Sequence, residues 1–161
     1  MSSIVFNGSY ITEKNTGIGV VSRDLVNALS SNKITSLIPQ DIGISGDIYI
    51  PNNLSPGKGL KNHLRRLYWL QKSVPKIMRN VKAEYFLSPL LEAPLFTDVK
   101  SIVLAHDLIP LRYPSISFLT LYHLTYIPLV LKQCKLILCN SISTANDLNN
   151  FYKVPRHKLF P

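Results

Sequence analysis

The chain predicts an α/β domain built on a mostly parallel sheet. Short apolar runs recur at residues 4–6, 85–87, 102–105 and 136–139, each closed by polar or turn-forming residues, and 34–38 is a further strand ended by Pro39. Between them lie longer segments with apolar residues at helical spacing, and strands alternating with helices indicate βαβ units. At 161 residues, 46% of them hydrophobic, the chain suits one domain spanning 1–161 that can bury a real core.

The elements follow in order. Residues 4–6 are the first strand, and Asn7-Gly8-Ser9 opens a polar loop ending at Thr16-Gly17-Ile18-Gly19. A helix over 19–29 places Val20, Val21, Leu25 and Leu29 inward and Arg23, Asp24 and Asn27 outward. Residues 34–38 form the second strand, which Pro39 ends, and 48–50 a third, inside a loose region rich in Asn, Pro and Gly. A basic helix follows, which Pro75 must kink or split. Residues 85–87 are a strand closed by Ser88-Pro89, then an apolar loop runs through Pro94. After the central strand at 102–105, residues 118–133 read as a kinked helix with one wide apolar face. The 19 residues from Tyr113 to Leu131 carry no formal charge, so a membrane span is the alternative there. Pro114, Ser115, Ser117, Thr120, His123, Thr125 and Pro128 break that run and favour the helix. Residues 136–139 are the next strand, Ser141 or Ser143 caps a helix to Asn149, and the chain trails out from Lys153 to Pro161.

The charge is concentrated. Eight basic residues and no acidic one lie between Lys58 and Lys82, while the other ten basic and nine acidic residues nearly cancel. On a helical wheel Leu60, Leu64, Leu67, Tyr68, Leu70, Val74 and Ile77 share one side of this segment. Lys61, Arg65, Lys72, Lys76 and Arg79 share the other, with Trp69 beside them. Such a helix can lie on an anionic membrane surface through Lys61, Arg65, Lys72 and Lys76, follow nucleic-acid phosphates, or form a solvated outer face. No DNA- or RNA-reading signature accompanies it, so no nucleic-acid partner is expected.

The two cysteines, Cys134 and Cys139, have no second Cys pair or His cluster beside them, so no metal site is expected, and both read as small buried hydrophobes. The start of the chain lacks the features of a signal peptide. Together these point to a cytoplasmic protein, on the inner face of a membrane if the basic helix docks there.

Three strand exits carry candidate chemistry. Gly17-Ile18-Gly19 lets a backbone approach an anion at a helix start. It departs from a dinucleotide fingerprint, because Ser22 fills the third glycine position and the turn begins ten residues past the strand. His106-Asp107 ends the central strand, where it either handles a substrate or caps the strand locally. Asn140, Ser141 and Thr144 follow the 136–139 strand, where hydroxyls either cap the next helix or face a ligand. All three fall at carboxyl ends of strands, so one crevice can collect them.

Three stretches, NTGIGVVSRDLVNAL, IVLAHDLIPLRYP and LILCNSISTANDLNNFYKVPRHKL, resemble in order and spacing the N-terminal domain of family 4 glycosyltransferases. These are retaining transferases with the GT-B fold, and the likeness is strongest to mannosyl- and rhamnosyltransferase-type members that build bacterial surface polysaccharides. The resemblance implies a Rossmann-like three-layer domain on the acceptor side, facing a second domain that holds the nucleotide-sugar. It implies no cofactor beyond the nucleotide-sugar substrate, and an acceptor that is a glycan or lipid-linked. By position, Gly17 and Gly19 would form the loop near the donor phosphates and the acceptor, and His106 would sit beside the reacting sugar, through its imidazole or a neighbouring backbone carbonyl. Asp107 next to it reads as an orienting group or a structural acceptor and not as a nucleophile. Ser141 and Thr144 would line the cleft wall. The family's C-terminal domain, with its paired glutamates and diphosphate-gripping cations, has no counterpart in these residues, so the chain alone is expected to be nearly inactive. The rival from another class is a non-catalytic Rossmann-like module binding a sugar, an anionic lipid or a partner domain.

Overall fold

The computed structural model describes residues 4–12, 16–29, 34–40, 42–54, 59–113 and 116–161. The chain runs β1 (Ile4–Asn7), α1 (Gly17–Leu29), β2 (Ile34–Pro39), β3 (Ile48–Ile50), α2 (Gly59–Lys72), α3 (Val74–Asn80) and β4 (Tyr85–Ser88). It continues through β5 (Lys100–Ala105), a short α4 (Ile109–Arg112), α5 (Phe118–Gln133), β6 (Leu136–Cys139), α6 (Ile142–Tyr152) and β7 (Leu159–Phe160).

Seven strands form one sheet in the order β3-β2-β1-β4-β5-β6-β7, and every neighbouring pair is parallel. From β1 the chain works outward one way, and from β4 the other. That reversal opens a crevice beyond the carboxyl ends of β1 and β4.

Alternation along the strands sends Val5, Phe86, Val103 and Ile137 to one face and Phe6, Leu87, Ile102 and Leu138 to the other. The first face packs against Leu70, Val74 and Met78 of α2 and α3, Ile127 and Val130 of α5, and Leu148 of α6. The second packs against Val26 of α1. Helix, sheet and helix therefore make three layers, the Rossmann-like architecture expected. Each large apolar side chain buried here stabilises the fold by roughly 1.5–3 kcal/mol.

Pro75 splits the basic helix, as its position requires. It occupies the first turn of α3, where its missing N–H costs nothing. α5 keeps Pro128 inside its 16 residues, and among the described residues no helix is long and apolar enough to cross a membrane. Cys134 and Cys139 are both buried, and burial pushes the Cys134 thiol up to about 11.

Four sequence expectations are corrected. The wheel for α2 and α3 holds in part: Leu70 and Val74 are buried and Leu67 and Ile77 pack against the core, but Asn62, Arg66 and Trp69 face inward as well, while Leu60, Leu64 and Tyr68 are 49, 51 and 66% exposed. A charged side chain can lead the buried face because a buried carboxylate meets it, so Arg66 displaces Leu60 and Leu64 from the core side. On α1, Val20 is exposed and Ser22 is buried, its hydroxyl satisfied by donating to the Ile18 carbonyl at 2.7 Å. α6 runs to Tyr152, beyond Asn149. The tail does not trail out. Lys153 takes a left-handed conformation that ends α6, and β7 returns to pair with β6.

Candidate functional site

The carboxyl rim of the sheet holds a cleft of about 300 Å³. Ile18 at the start of α1, the segment after β4, His106 and Asp107 after β5, and side chains of α2 and α5 line it. Why these elements meet there follows from the topology: all parallel strands end on the same rim, and the order reverses between β1 and β4.

The floor of the cleft was invisible to motif reading. Arg66 donates from Nε to Glu92 Oε2 and from Nη2 to Glu92 Oε1, both at 2.8 Å, and from Nη1 to the Leu54 carbonyl at 3.2 Å. The Tyr10 hydroxyl donates to Glu92 Oε2 at 2.6 Å, and the guanidinium lies 5.0 Å from the Tyr10 ring centre. Arg66 and Glu92 are only 3% and 2% exposed. Burial alone would push the Glu92 carboxyl up. The Arg66 charge and the hydrogen bonds from Arg66 and Tyr10 outweigh it and hold Glu92 below the usual carboxylate range. Burial likewise works against the Arg66 charge, and Glu92 more than restores it. Tyr10, buried beside that carboxylate, is raised far above its ordinary value.

His63 leans on this pair. Its Nδ1 lies 3.0 Å from Arg66 Nη2, which can only donate, so Nδ1 accepts and the proton sits on Nε2. Burial lowers the His63 pKa, Glu92 opposes that shift and the Arg66 charge adds to it. Rings stack edge to face from His63 to Tyr122 and from Tyr122 to His123, with centroids 4.7 and 5.8 Å apart. One signal could have revealed the floor: Glu92 is a lone carboxylate inside Leu-Leu-Glu-Ala-Pro-Leu-Phe, a setting that demands a buried cation.

The sequence-predicted residues divide into those at the cleft and those behind it. His106 lines the cleft, and its Nε2 donates to the Pro89 carbonyl at 2.9 Å, which leaves Nδ1 as the ring's acceptor. Asp107 lines it too. Gly17 is exposed at the first turn of α1, Gly19 is buried and donates its N–H to Thr16 Oγ1 at 3.1 Å, and Ile18 between them reaches the cleft.

Ser141 and Thr144 do not line the cleft. Ser141 caps α6, accepting from the Thr144 N–H at 3.1 Å. The Thr144 hydroxyl lies 3.0 Å from the His106 carbonyl and 2.7 Å from Asn140 Oδ1, its one proton serving either. The pair therefore braces the His106 backbone from behind. Among the described residues no group of three or more His, Cys, Asp or Glu side chains is gathered to hold a metal.

Lys61, Lys72 and Lys76 are exposed and Arg65 is half-buried, all away from the cleft floor. Because Leu60, Leu64 and Tyr68 face outward as well, this surface combines cations with apolar side chains. No protein-family model matches the chain, and no curated protein matches it either.

Proposed function

We propose that the chain is the acceptor-side, N-terminal domain of a retaining GT-B glycosyltransferase, moving a sugar from a nucleotide-sugar to a hydroxyl of a glycan or lipid-linked acceptor. One observation carries the reading: the glycine turn, the His106-Asp107 pair and the Ser141–Thr144 brace, far apart in sequence, share one rim of a parallel sheet.

Retaining transfer passes through an oxocarbenium-like transition state while negative charge builds on the departing diphosphate. Preorganised N–H groups and cations have to meet that charge. The first turn of α1, opened by the exposed Gly17, offers N–H groups on this side. The matching cations belong to the second domain. His106, held by Pro89 through one nitrogen and by Thr144 through its backbone, is a rigid group beside the reacting sugar. Glu92 is not a nucleophile in this scheme, since Arg66 and Tyr10 occupy both its oxygens.

A specific observation favours a peripheral membrane placement for the same protein, on the cytoplasmic face. The outward Leu60, Leu64 and Tyr68 stand beside Lys61, Arg65 and Lys72, the mixture that an anionic leaflet binds.

The reading frame downstream of residue 161 tests the enzyme assignment. A frame that continues into a second α/β domain is expected, and in that longer protein His106→Ala should lower sugar transfer at least tenfold without lowering the melting temperature. A stop codon followed by unrelated sequence overturns the assignment in favour of a stand-alone binding module.

A further inference from the structure

The loop between β4 and β5 displays an aromatic side chain from a strained backbone. Phe96 is 87% exposed, and its φ of 55° lies in the left-handed region that bulky residues rarely adopt. The backbone around it is held on both sides. Gln71 of α2 accepts from the Leu95 N–H at 2.7 Å and donates to the Ala93 carbonyl at 3.4 Å. Gln133 of α5 accepts from the Phe96 N–H at 2.9 Å and donates to the Pro94 and Thr97 carbonyls, each at 3.2 Å. The Tyr126 hydroxyl adds a bond of 2.7 Å to the Ala93 carbonyl. Leu95 packs in the core, so the two amides fix a turn that sends Leu95 inward and Phe96 to solvent. Strain of this kind persists only where the surroundings impose it.

Phe96 also ends a stripe. α2 and α5 both run from the carboxyl rim of the sheet to its amino rim, and Gln71 and Gln133, in their last turns, bind the Phe96 loop at their feet. One turn above the two glutamines, Tyr68 and Leu129 are exposed, and Leu64 and Leu60 precede Tyr68 at intervals of four along α2. Residues four apart share a helix face and eight residues rise about 12 Å, so outward apolar side chains follow α2 down to the loop. Lys72 and Lys132 adjoin the glutamines in sequence, Lys76 and Arg79 follow on α3, and all four are exposed. Against them stand Asp98, and Glu84, which Lys100 holds at 3.0 Å. Cations and apolar side chains therefore complement an anionic leaflet along the helical layer, and not at the start of α2 alone.

We propose that the layer formed by α2 and α5 lies flat on an anionic bilayer, with Phe96 inserted at its amino-rim end and Leu60 and Leu64 at the other. This orientation rests on the membrane placement proposed above and gives it a second anchor. The held loop is the reason for assigning the ring to lipid: an aromatic side chain fixed before contact has little freedom left to lose on insertion. The carboxyl-rim cleft then opens along the leaflet, because the helices lying on the bilayer start at that rim.

The test uses the whole chain and vesicles of phosphatidylserine and phosphatidylcholine in equal parts. Phe96→Asn removes the ring and suits the left-handed backbone. Its melting temperature should stay the same or rise, while its affinity for the vesicles falls about tenfold. An environment-sensitive dye is then placed on Phe96→Cys, Leu64→Cys or Val20→Cys, the last exposed on α1 across the sheet. Cys134 and Cys139 are buried and stay unlabelled in the folded chain. Vesicles should shift the emission to the blue at 96 and 64 and leave it unchanged at 20. A shift at 64 alone, or Phe96→Asn binding as the native chain does, overturns the Phe96 anchor and leaves the α2 placement standing. A shift at 96 without one at 64, or a shift at 20, overturns the flat orientation. No shift at any position removes the orientation and the membrane placement together. Self-association without lipid that Phe96→Asn abolishes would assign the ring to a contact between copies and overturns the proposal as well.

Discussion

Arg66 and Glu92, 26 positions apart, clasp side-on through two hydrogen bonds of 2.8 Å within the molecule's interior. Breaking such a pair from one side leaves an uncompensated buried charge, a loss of about 3–5 kcal/mol, whereas replacing both partners by apolar groups is often neutral. Arg66→Met is therefore expected to lower the urea midpoint steeply, and Arg66→Met/Glu92→Leu to recover most of the loss. A double variant as unstable as the single one would mean that the clasp is not what the single substitution disturbs.

The same region makes stability depend on pH in a defined direction. Burial lowers the pKa of His63 and of His123 below the ordinary 6.5, and the negative charges of Glu92 and Asp107 respectively oppose it without cancelling it. The unfolded chain then binds protons more readily than the folded one, so stability rises with pH. It is fully present above 6.5 and lost as pH falls through the lowered folded values. Glu92, held below its ordinary 4.5, adds a second loss at more acid pH with the same sign. Urea midpoints measured from pH 8 to 3 should decline in these two stages. In His63→Gln/His123→Gln the upper stage should vanish and the lower one persist.

The sheet was legible because its signal is local. Most strands are short, mainly apolar runs with a turn behind them, and six of the seven could be placed to within a residue or two. β7 could not, since two residues pairing with β6 carry no periodicity of their own. The rim residues were legible for a similar reason: Gly17, His106, Asn140 and Ser141 each follow a strand or open a helix. The cleft floor was not. Tyr10, Arg66 and Glu92 come from three distant segments, and only the folded chain brings them together. That long-range ion pair also rotated α2, so the inward side of the wheel was misjudged in part. Hydrophobicity alone would bury Leu60, Leu64 and Tyr68; a buried salt bridge reverses the choice.

Gly17 separates a structural from a ligand-directed role. A Cβ built there meets no atom within 4 Å, so the glycine is not needed for room inside the chain. Gly17→Ala at the start of α1 should leave stability unchanged or raise it by up to about 1 kcal/mol. If the chain is the N-terminal half of the two-domain transferase proposed above, the same substitution is expected to raise the KM for the nucleotide-sugar in that protein, because the proposal puts a phosphate beside this turn. Full activity with an unshifted KM would remove Gly17 from the site.

Ser141 makes the opposite case. Its hydroxyl caps α6, so Ser141→Ala should cost about 1 kcal/mol in a urea titration, while Ser141→Asp, also a good cap, should cost far less. Thr144→Val keeps the volume and removes the hydroxyl that reaches the His106 carbonyl. It is expected to broaden or shift the His106 ring resonances without unfolding the chain. An unchanged His106 spectrum would show that Thr144 does not brace that loop.

The outward face of α2 makes its own forecast about membranes. Cations alone bind a leaflet weakly and lose their hold in salt, because charges are screened over about 10 Å at 0.1 M. Apolar side chains alone insert without preference for lipid charge. Lys61, Arg65 and Lys72 share α2 with the exposed Leu60, Leu64 and Tyr68, and Lys76 is exposed on α3, so both contributions should show in one sedimentation assay. Vesicles rich in phosphatidylserine should retain the chain more strongly than neutral ones, and added salt should weaken the preference. Changing the four cations to Gln should reduce retention on anionic vesicles at least tenfold, each contributing up to about fivefold. Leu60→Ser/Leu64→Ser should weaken binding to both vesicle types while leaving the salt dependence intact. If the charge variant binds as the native chain does, the α2 surface is a solvated face and its leucines are exposed only because Arg66 claimed the inside.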